Sequence, residues 1–258
     1  MMHRASASRV PAGLLVLAMI LFLTSSLPLP TQAVSPDIVI SQIYGGGGNQ
    51  GAPYKNDFIE LFNRGNSAVN ITGWSVQYAS ADGSSWAKTV LAGTIPPGGY
   101  YLIQEGSGGN QGGDLPTPDA VGSINLSAGS GKIALVTNSE ALSGSCPSST
   151  NLRDLVGYGN SANCFEGNGS APNLNNTTAA LRKAKGCTDS DDNSNDFTTD
   201  TPAPRNSQSP TSPCGEPTVV TVTHLTATST TTDEWRPGLA LSALAIGLAL
   251  RFAWRRRW

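Results

Sequence analysis

The stretch Asp189-Ser-Asp191-Asp192-Asn193-Ser-Asn195-Asp196 is the most chemically suggestive part of the chain. Asp189, Asp191 and Asn193 keep the D-x-D-x-N spacing by which a calcium loop turns oxygens inward, and Asp196 adds another carboxylate. Such loops carry glycine at the sixth position and glutamate at the twelfth; here those places hold Ser194 and Asp200. Asx turns and side-chain caps use the same residue types without an ion. The expectation is therefore structural turns and no cofactor, with calcium as the alternative. Glu60, Glu105, Asp154 and Glu166 are carboxylates of the kind that hydrolyse glycosides in pairs, a chemistry that needs no imidazole. Tyr44, Tyr54, Tyr158 and Phe165 would suit stacking against sugar rings. Gly45 to Gly51 lacks the Lys-Ser/Thr end of a phosphate loop and leads to a strand pattern, so it reads as an inter-strand loop.

Histidine decides more than any of these. The chain has 2, His3 and His224, and the candidate folded body, 34–215, contains none. A Ser-His-Asp triad, a Cys-His pair and a His-ligated zinc each need an imidazole near the reacting atoms. Most hydrolase mechanisms fall at this step, and the protein reads as a non-enzyme. All 4 cysteines lie in the body. An even count in an oxidising compartment reads as two disulfides. Spacing leaves three pairings open; Cys146–Cys164 with Cys187–Cys214, sequential neighbours, is the preferred one.

The ends set the compartment. His3, Arg4 and Arg9 precede an apolar run from Ala12 to Leu23, then Pro28, Pro30 and a small residue at Ala33. Residues 1–33 thus read as a secretory signal peptide. Residues 216–235 are a Thr-rich stalk, and 236–258 a hydrophobic segment closed by Arg255, Arg256 and Arg257. The basic end stays inside under the positive-inside rule, which leaves the body outside. The expected location is the extracellular face of the membrane, held by the C-terminal segment, or the medium if that segment is processed. Charged residues make up 13 % of the 258, against about 25 % in an average globular protein. All 18 acids but only 9 Lys and Arg fall between Val34 and Glu234. So acidic a body is a poor polyphosphate binder, and no nucleic-acid partner is expected.

Elements that would position these residues are strands. Trp74-Ser-Val-Gln-Tyr78 and Phe58-Ile-Glu-Leu-Phe62 alternate with period two, while Tyr100 to Gln104 and Lys132 to Val136 are bulkier. Gly/Pro/Asn/Asp clusters separate them, and the alternation fades after Tyr158. Short strands at such spacing give an all-β sandwich or barrel. Asp57-Phe-Ile-Glu-Leu-Phe-Asn63, Val69-Asn-Ile-Thr-Gly-Trp-Ser-Val76 and Ile95-Pro-Pro-Gly-Gly-Tyr-Tyr-Leu-Ile103 follow one another in an order that resembles the lamin tail domain, in its exported bacterial branch. Gly131 to Val136, Asp154 to Gly159, Asn163 to Gly167 and Pro204-Arg-Asn-Ser207 extend the likeness over roughly 37–214. The resemblance implies an immunoglobulin-like β-sandwich and a non-catalytic module. Gly73 turns the chain so that Trp74 enters the core. Glu60, between Ile59 and Leu61, is structural, on an open face or paired with Lys or Arg. The functional expectation is a cell-surface or secreted structural or binding module whose partner is an envelope protein or polysaccharide. The alternatives are a carbohydrate-binding module or a carboxylate-dependent secreted hydrolase.

Overall fold

β-Branched and aromatic runs pair side by side because their stiff side chains pack on a pleated surface, while the intervening glycines and asparagines supply the turns. The computed structural model describes residues 35–215. The expected leader, stalk and tail lie outside the described residues. Among the described residues no helix is long and apolar enough to cross a membrane.

The larger sheet contains β1 (Ile38–Tyr44), β2 (Phe58–Asn63), β7 (Tyr100–Gln104), β8 (Ala120–Val121), β11 (Ala179–Arg182) and β12 (Phe197–Asp200). Their order is β12-β11-β1-β2-β7-β8, antiparallel except where β8 joins β7. The smaller sheet has the order β10-β9-β4-β5, from β4 (Ser75–Ser80), β5 (Ala87–Val90), β9 (Gly131–Val136) and β10 (Leu152–Tyr158), all antiparallel. β3 (Val69–Asn70) and β6 (Thr94–Ile95) form a separate short pair. A 3₁₀ turn (Ala184–Gly186) and the single helical turn α1 (Asn193–Asp196) follow β11. The protein is all-β, as an immunoglobulin-like sandwich should be.

Alternation sends Ile38, Ile40, Ile59, Leu61, Tyr101 and Ile103 of the larger sheet against Val76, Ile133, Leu135 and Val156 of the smaller one. Each such side chain, fully buried, contributes about 1.5–3 kcal/mol. The opposite faces are also covered. Every residue of β2 is buried, because Phe58, Glu60 and Phe62 lie under chain that crosses the sheet. Part of that cover is a strap, residues 201–215, ending at Cys214, which bonds Cys187 with Cα atoms 5.6 Å apart. On the smaller sheet Trp86, Leu142 and Cys164 cover Ala134, Val136 and Leu155. Cys164 bonds Cys146 there, Cα to Cα 5.1 Å. Both preferred pairings are thus present, and each holds a covering segment.

One expectation needs correction. Trp74 is only half-buried: it packs on the rim of the core with the Arg153 guanidinium 5.8 Å from its ring, while Trp86 is the buried one. Strand structure continues past Tyr158, where the alternation fades, as a sandwich over 37–214 requires. β11 and β12 form from Ala-Ala-Leu-Arg and Phe-Thr-Thr-Asp, whose small and polar residues carry almost no hydrophobic period.

The strap bond closes a loop of sequence separation 27, which in the chain-entropy picture stabilises by about 3–4 kcal/mol. Replacing Cys187 and Cys214 together with serine should lower the unfolding free energy by that amount in urea titration. A change below about 1 kcal/mol would refute the chain-entropy account of this bond.

Candidate functional site

Arg182 ends β11 two residues after core residue Ala180, so alternation turns it between the sheets. It is fully buried at the side chain, with the guanidinium 4.6 Å from the Phe197 ring. Its Nη2 donates to both oxygens of Asp154 on β10, at 3.1 and 2.9 Å. Its Nε donates to the Ile40 carbonyl at 2.9 Å, and the Ile40 N–H donates to Asp154 at 2.6 Å. The register of β1 against β2 shifts just there, between Ile40 and Gln42. Nη1 donates to Asp189 at 2.8 Å, Asp196 at 3.4 Å and the Thr188 carbonyl at 3.3 Å. One guanidinium therefore joins both sheets and the acidic loop.

That loop is the expected calcium candidate. Asp189 and Asp196 converge on Arg182, and Asp189 also meets Arg64 at 3.5 Å. Asn193 turns its oxygen to the N–H groups of Gly157 and Glu166, and its amide donates to the Leu155 carbonyl and to Glu166. Asp191 sits in left-handed backbone with φ 53°. Asp192 caps α1, accepting from the Ser194 and Asn195 N–H groups. Hydrogen bonding, led by that from Ser194, holds its pKa down at about 2. Cap geometry thus accounts for the position of Asp192 and long-range hydrogen bonds for that of Asn193, and the chain's own cation faces the carboxylates.

Glu166 completes the cluster: single oxygens of Asp154, Glu166 and Asp189 lie within 4.8 Å of one another. Among the described residues no cation donates to Glu166, which accepts long bonds, 3.3 Å each, from the Leu155 N–H and Asn193. Burial, then the charge of Asp154, push it up to about 9. It is the member that keeps a proton at neutral pH.

The other candidate carboxylates are equally committed. Glu60 is fully buried on the outer face of β2 and takes a bidentate pair from Arg205 of the strap, at 2.7 and 3.1 Å. The Arg205 guanidinium also stacks 3.8 Å from the Tyr100 ring centre. Glu105 accepts from the Ile124 N–H at 2.9 Å, and its neighbour Asp57 accepts from Gly47 and Leu126, both at 2.8 Å. Burial pushes Asp57 up to about 7. Lys132 is buried on the smaller sheet with its three donors on Gly83 O, Ser145 O and Asn163 Oδ1.

A glycosidase needs carboxylates about 5–9.5 Å apart across an open cleft. Glu60, Glu105, Asp154 and Glu166 are all buried, so none of them can reach a substrate. Among the aromatics, Tyr44 and Tyr158 are core residues, while Tyr54 and Phe165 are half-buried. Sequence reasoning passed over Arg182, Arg205 and Lys132. The available signal was chemical: Arg205 and Lys132 are lone cations in or beside strands of a body poor in cations, and Arg182 opens the cationic run Arg182-Lys183-Ala184-Lys185.

Two outcomes follow. Arg182→Met should cost about 3–5 kcal/mol in urea unfolding, because it leaves buried carboxylates without their cation. Glu166 holds its proton far more tightly folded than unfolded, where the usual value is 4.5. Its contribution is full below that value and is lost as pH rises toward about 9. Stability should fall over that window by at most about 1.4 kcal/mol per pH unit from this group. Glu166→Gln, which mimics the protonated acid, should flatten the profile measured by unfolding between pH 5 and 9; an unchanged slope would refute the assignment.

Comparison with curated proteins finds no match to this chain. Comparison with protein families matches residues 31–190 to the Lamin Tail Domain, a span that holds β1 to β11 and stops short of α1, β12 and the Arg205 strap. By a match that covers most of its length, with the sandwich described above, the chain belongs to the lamin tail domain family.

Proposed function

We propose that the protein is a non-catalytic structural or binding module displayed outside the cell. The observation that carries this reading is the fate of its reactive side chains. The four carboxylates that the sequence offers for histidine-free hydrolysis, Glu60, Glu105, Asp154 and Glu166, are buried and tied to an arginine, an asparagine or a backbone N–H. Family membership supports the same conclusion, since the lamin tail domain is an immunoglobulin-like module. Two disulfides among the described residues favour an oxidising compartment. The leader-like residues 1–33 and the hydrophobic segment 236–258 with its basic run Arg255 to Arg257 favour export with retention at the membrane or release after processing. Between 35 and 215 there are 15 acids against 9 Lys and Arg, which favours an envelope protein or polysaccharide as partner over nucleic acid.

Protease added to intact cells should remove the body, and its protection there would overturn the topology. The purified protein should turn over neither glycans nor phosphoesters. Turnover abolished by Glu60→Gln or Glu166→Gln would overturn the non-catalytic reading. Those two substitutions are instead expected to change stability alone.

A further inference from the structure

A groove of about 510 Å³ lies on the larger sheet where the strap does not cover it. Its floor is Leu181 and Thr198 on β11 and β12, its walls are Tyr54 and Pro204, and Lys183 and Lys185 stand at its rim. The size falls within the usual range for ligand sites, about 300–1,000 Å³.

The charge of this groove departs from that of the body. Arg64, Arg153, Arg182, Arg205 and Lys55 each meet a carboxylate. Lys183 is exposed, and among the described residues its ammonium donates only to the Asn195 carbonyl. Lys185 is exposed too, and its ammonium has no partner among the described residues. Two unpaired cations thus stand two residues apart in a body with excess acid.

Their turn is held firmly. Ala184 and Lys185 adopt φ of 51° and 62°, a left-handed conformation unusual for side-chain-bearing residues. Tyr100 donates its hydroxyl to the Lys185 carbonyl at 3.1 Å. Gly186, at φ 111°, lies so close to Phe62 that an added Cβ would come within 2.5 Å of that ring. Cys187 follows, bonded to Cys214. Across the groove the Tyr54 ring stands edge-on to Tyr44 and Phe58, with centroids 6.4 and 6.2 Å away. Pre-set walls and cations reduce the ordering cost of binding.

We infer that this groove binds an acidic polysaccharide, with sugar faces against Tyr54, Leu181 and Pro204 and acid groups on Lys183 and Lys185. The inference rests on the binding-module reading above. A sugar chain suits the floor better than an acidic peptide does. β11 is paired on both sides, with β1 and β12, so over Leu181 the floor offers side chains only, and a peptide could extend the sheet only at the outer edge of β12.

The test is calorimetric titration of the full-length protein, in mild detergent, with oligogalacturonate, its neutral methyl ester, and polyglutamate of matching charge. Saturable binding of oligogalacturonate is expected, weakening as salt rises through the screening range. Lys183→Gln with Lys185→Gln, and separately Tyr54→Ala, should each weaken it by about tenfold or more. Lys88→Gln, which removes another exposed lysine outside the groove, should leave it unchanged. Among the described residues the two lysines make no ion pair, so their variants should fold. No binding, equal binding of the methyl ester or of polyglutamate, or an equal loss in Lys88→Gln would overturn the assignment. Cleavage of the bound oligomer would overturn the non-catalytic reading and leave the groove standing.

Discussion

The contact of Arg182 Nη2 with both oxygens of Asp154 is the constraint on which the sandwich depends. Two sheets that share only apolar side chains can slide, because dispersion and hydrophobic burial have little directionality. A charge buried between them cannot slide. Asp154 comes from β10 and Arg182 from β11, and both backbone groups of Ile40 are satisfied by this pair. A buried ion pair adds little net stability over a well-packed apolar one, since desolvation offsets the attraction. Its force is selective: any register that separates the partners leaves a buried charge alone, at about 3–5 kcal/mol.

The same device recurs on the two outer faces. Period-two alternation sends Glu60 and Lys132 away from the core, yet both are fully buried. Each is satisfied by a segment that crosses its sheet: Arg205 of the strap for Glu60, and Gly83, Ser145 and Asn163 for Lys132. The covering chain therefore has a defined place, which hydrophobic contact alone would leave loose. Each disulfide then fixes a covering segment to its sheet. Glu166 shows the limit of the scheme. It has no cation of its own, and a retained proton removes the charge that the cluster could not otherwise hold.

These partnerships explain what could be read from the residues and what could not. The strands with bulky alternation, β1, β2, β4, β7, β9 and β10, announce themselves, and so do the cysteines. β11 and β12 do not, because Ala179, Ala180, Thr198 and Thr199 lack the size that makes a period visible. Glu60 and Arg205 are separated by 145 residues, so local spacing carries no trace of their pairing beyond the chemistry of a lone acid in an apolar strand. The Asp189 to Asp196 stretch is a subtler case. Inward-turned oxygens suit a metal or a guanidinium equally, and what distinguishes the two is Arg182 on another element with Asp154 beside it. Trp74 and Trp86 lie twelve residues apart in similar surroundings, and only the segment covering the smaller sheet decides which is buried.

A body with few cations that spends most of them internally has few left for its surface. Arg182 and Lys132 are buried, and Arg64, Arg153 and Arg205 are half-buried against carboxylates. Lys55, Lys88, Lys183 and Lys185 remain exposed, and Lys55 is paired with Asp114. The free positive charge is thereby concentrated at the Lys183–Lys185 turn. That turn exists because β11 must end where Arg182 enters the core, and because Gly186 then packs on Phe62 to bring Cys187 to Cys214. The opposite wall is set by Arg205, whose pairing with Glu60 fixes the neighbouring Pro204 over the sheet. The buried ions that hold the sandwich in register thus also fix the position and charge of its groove.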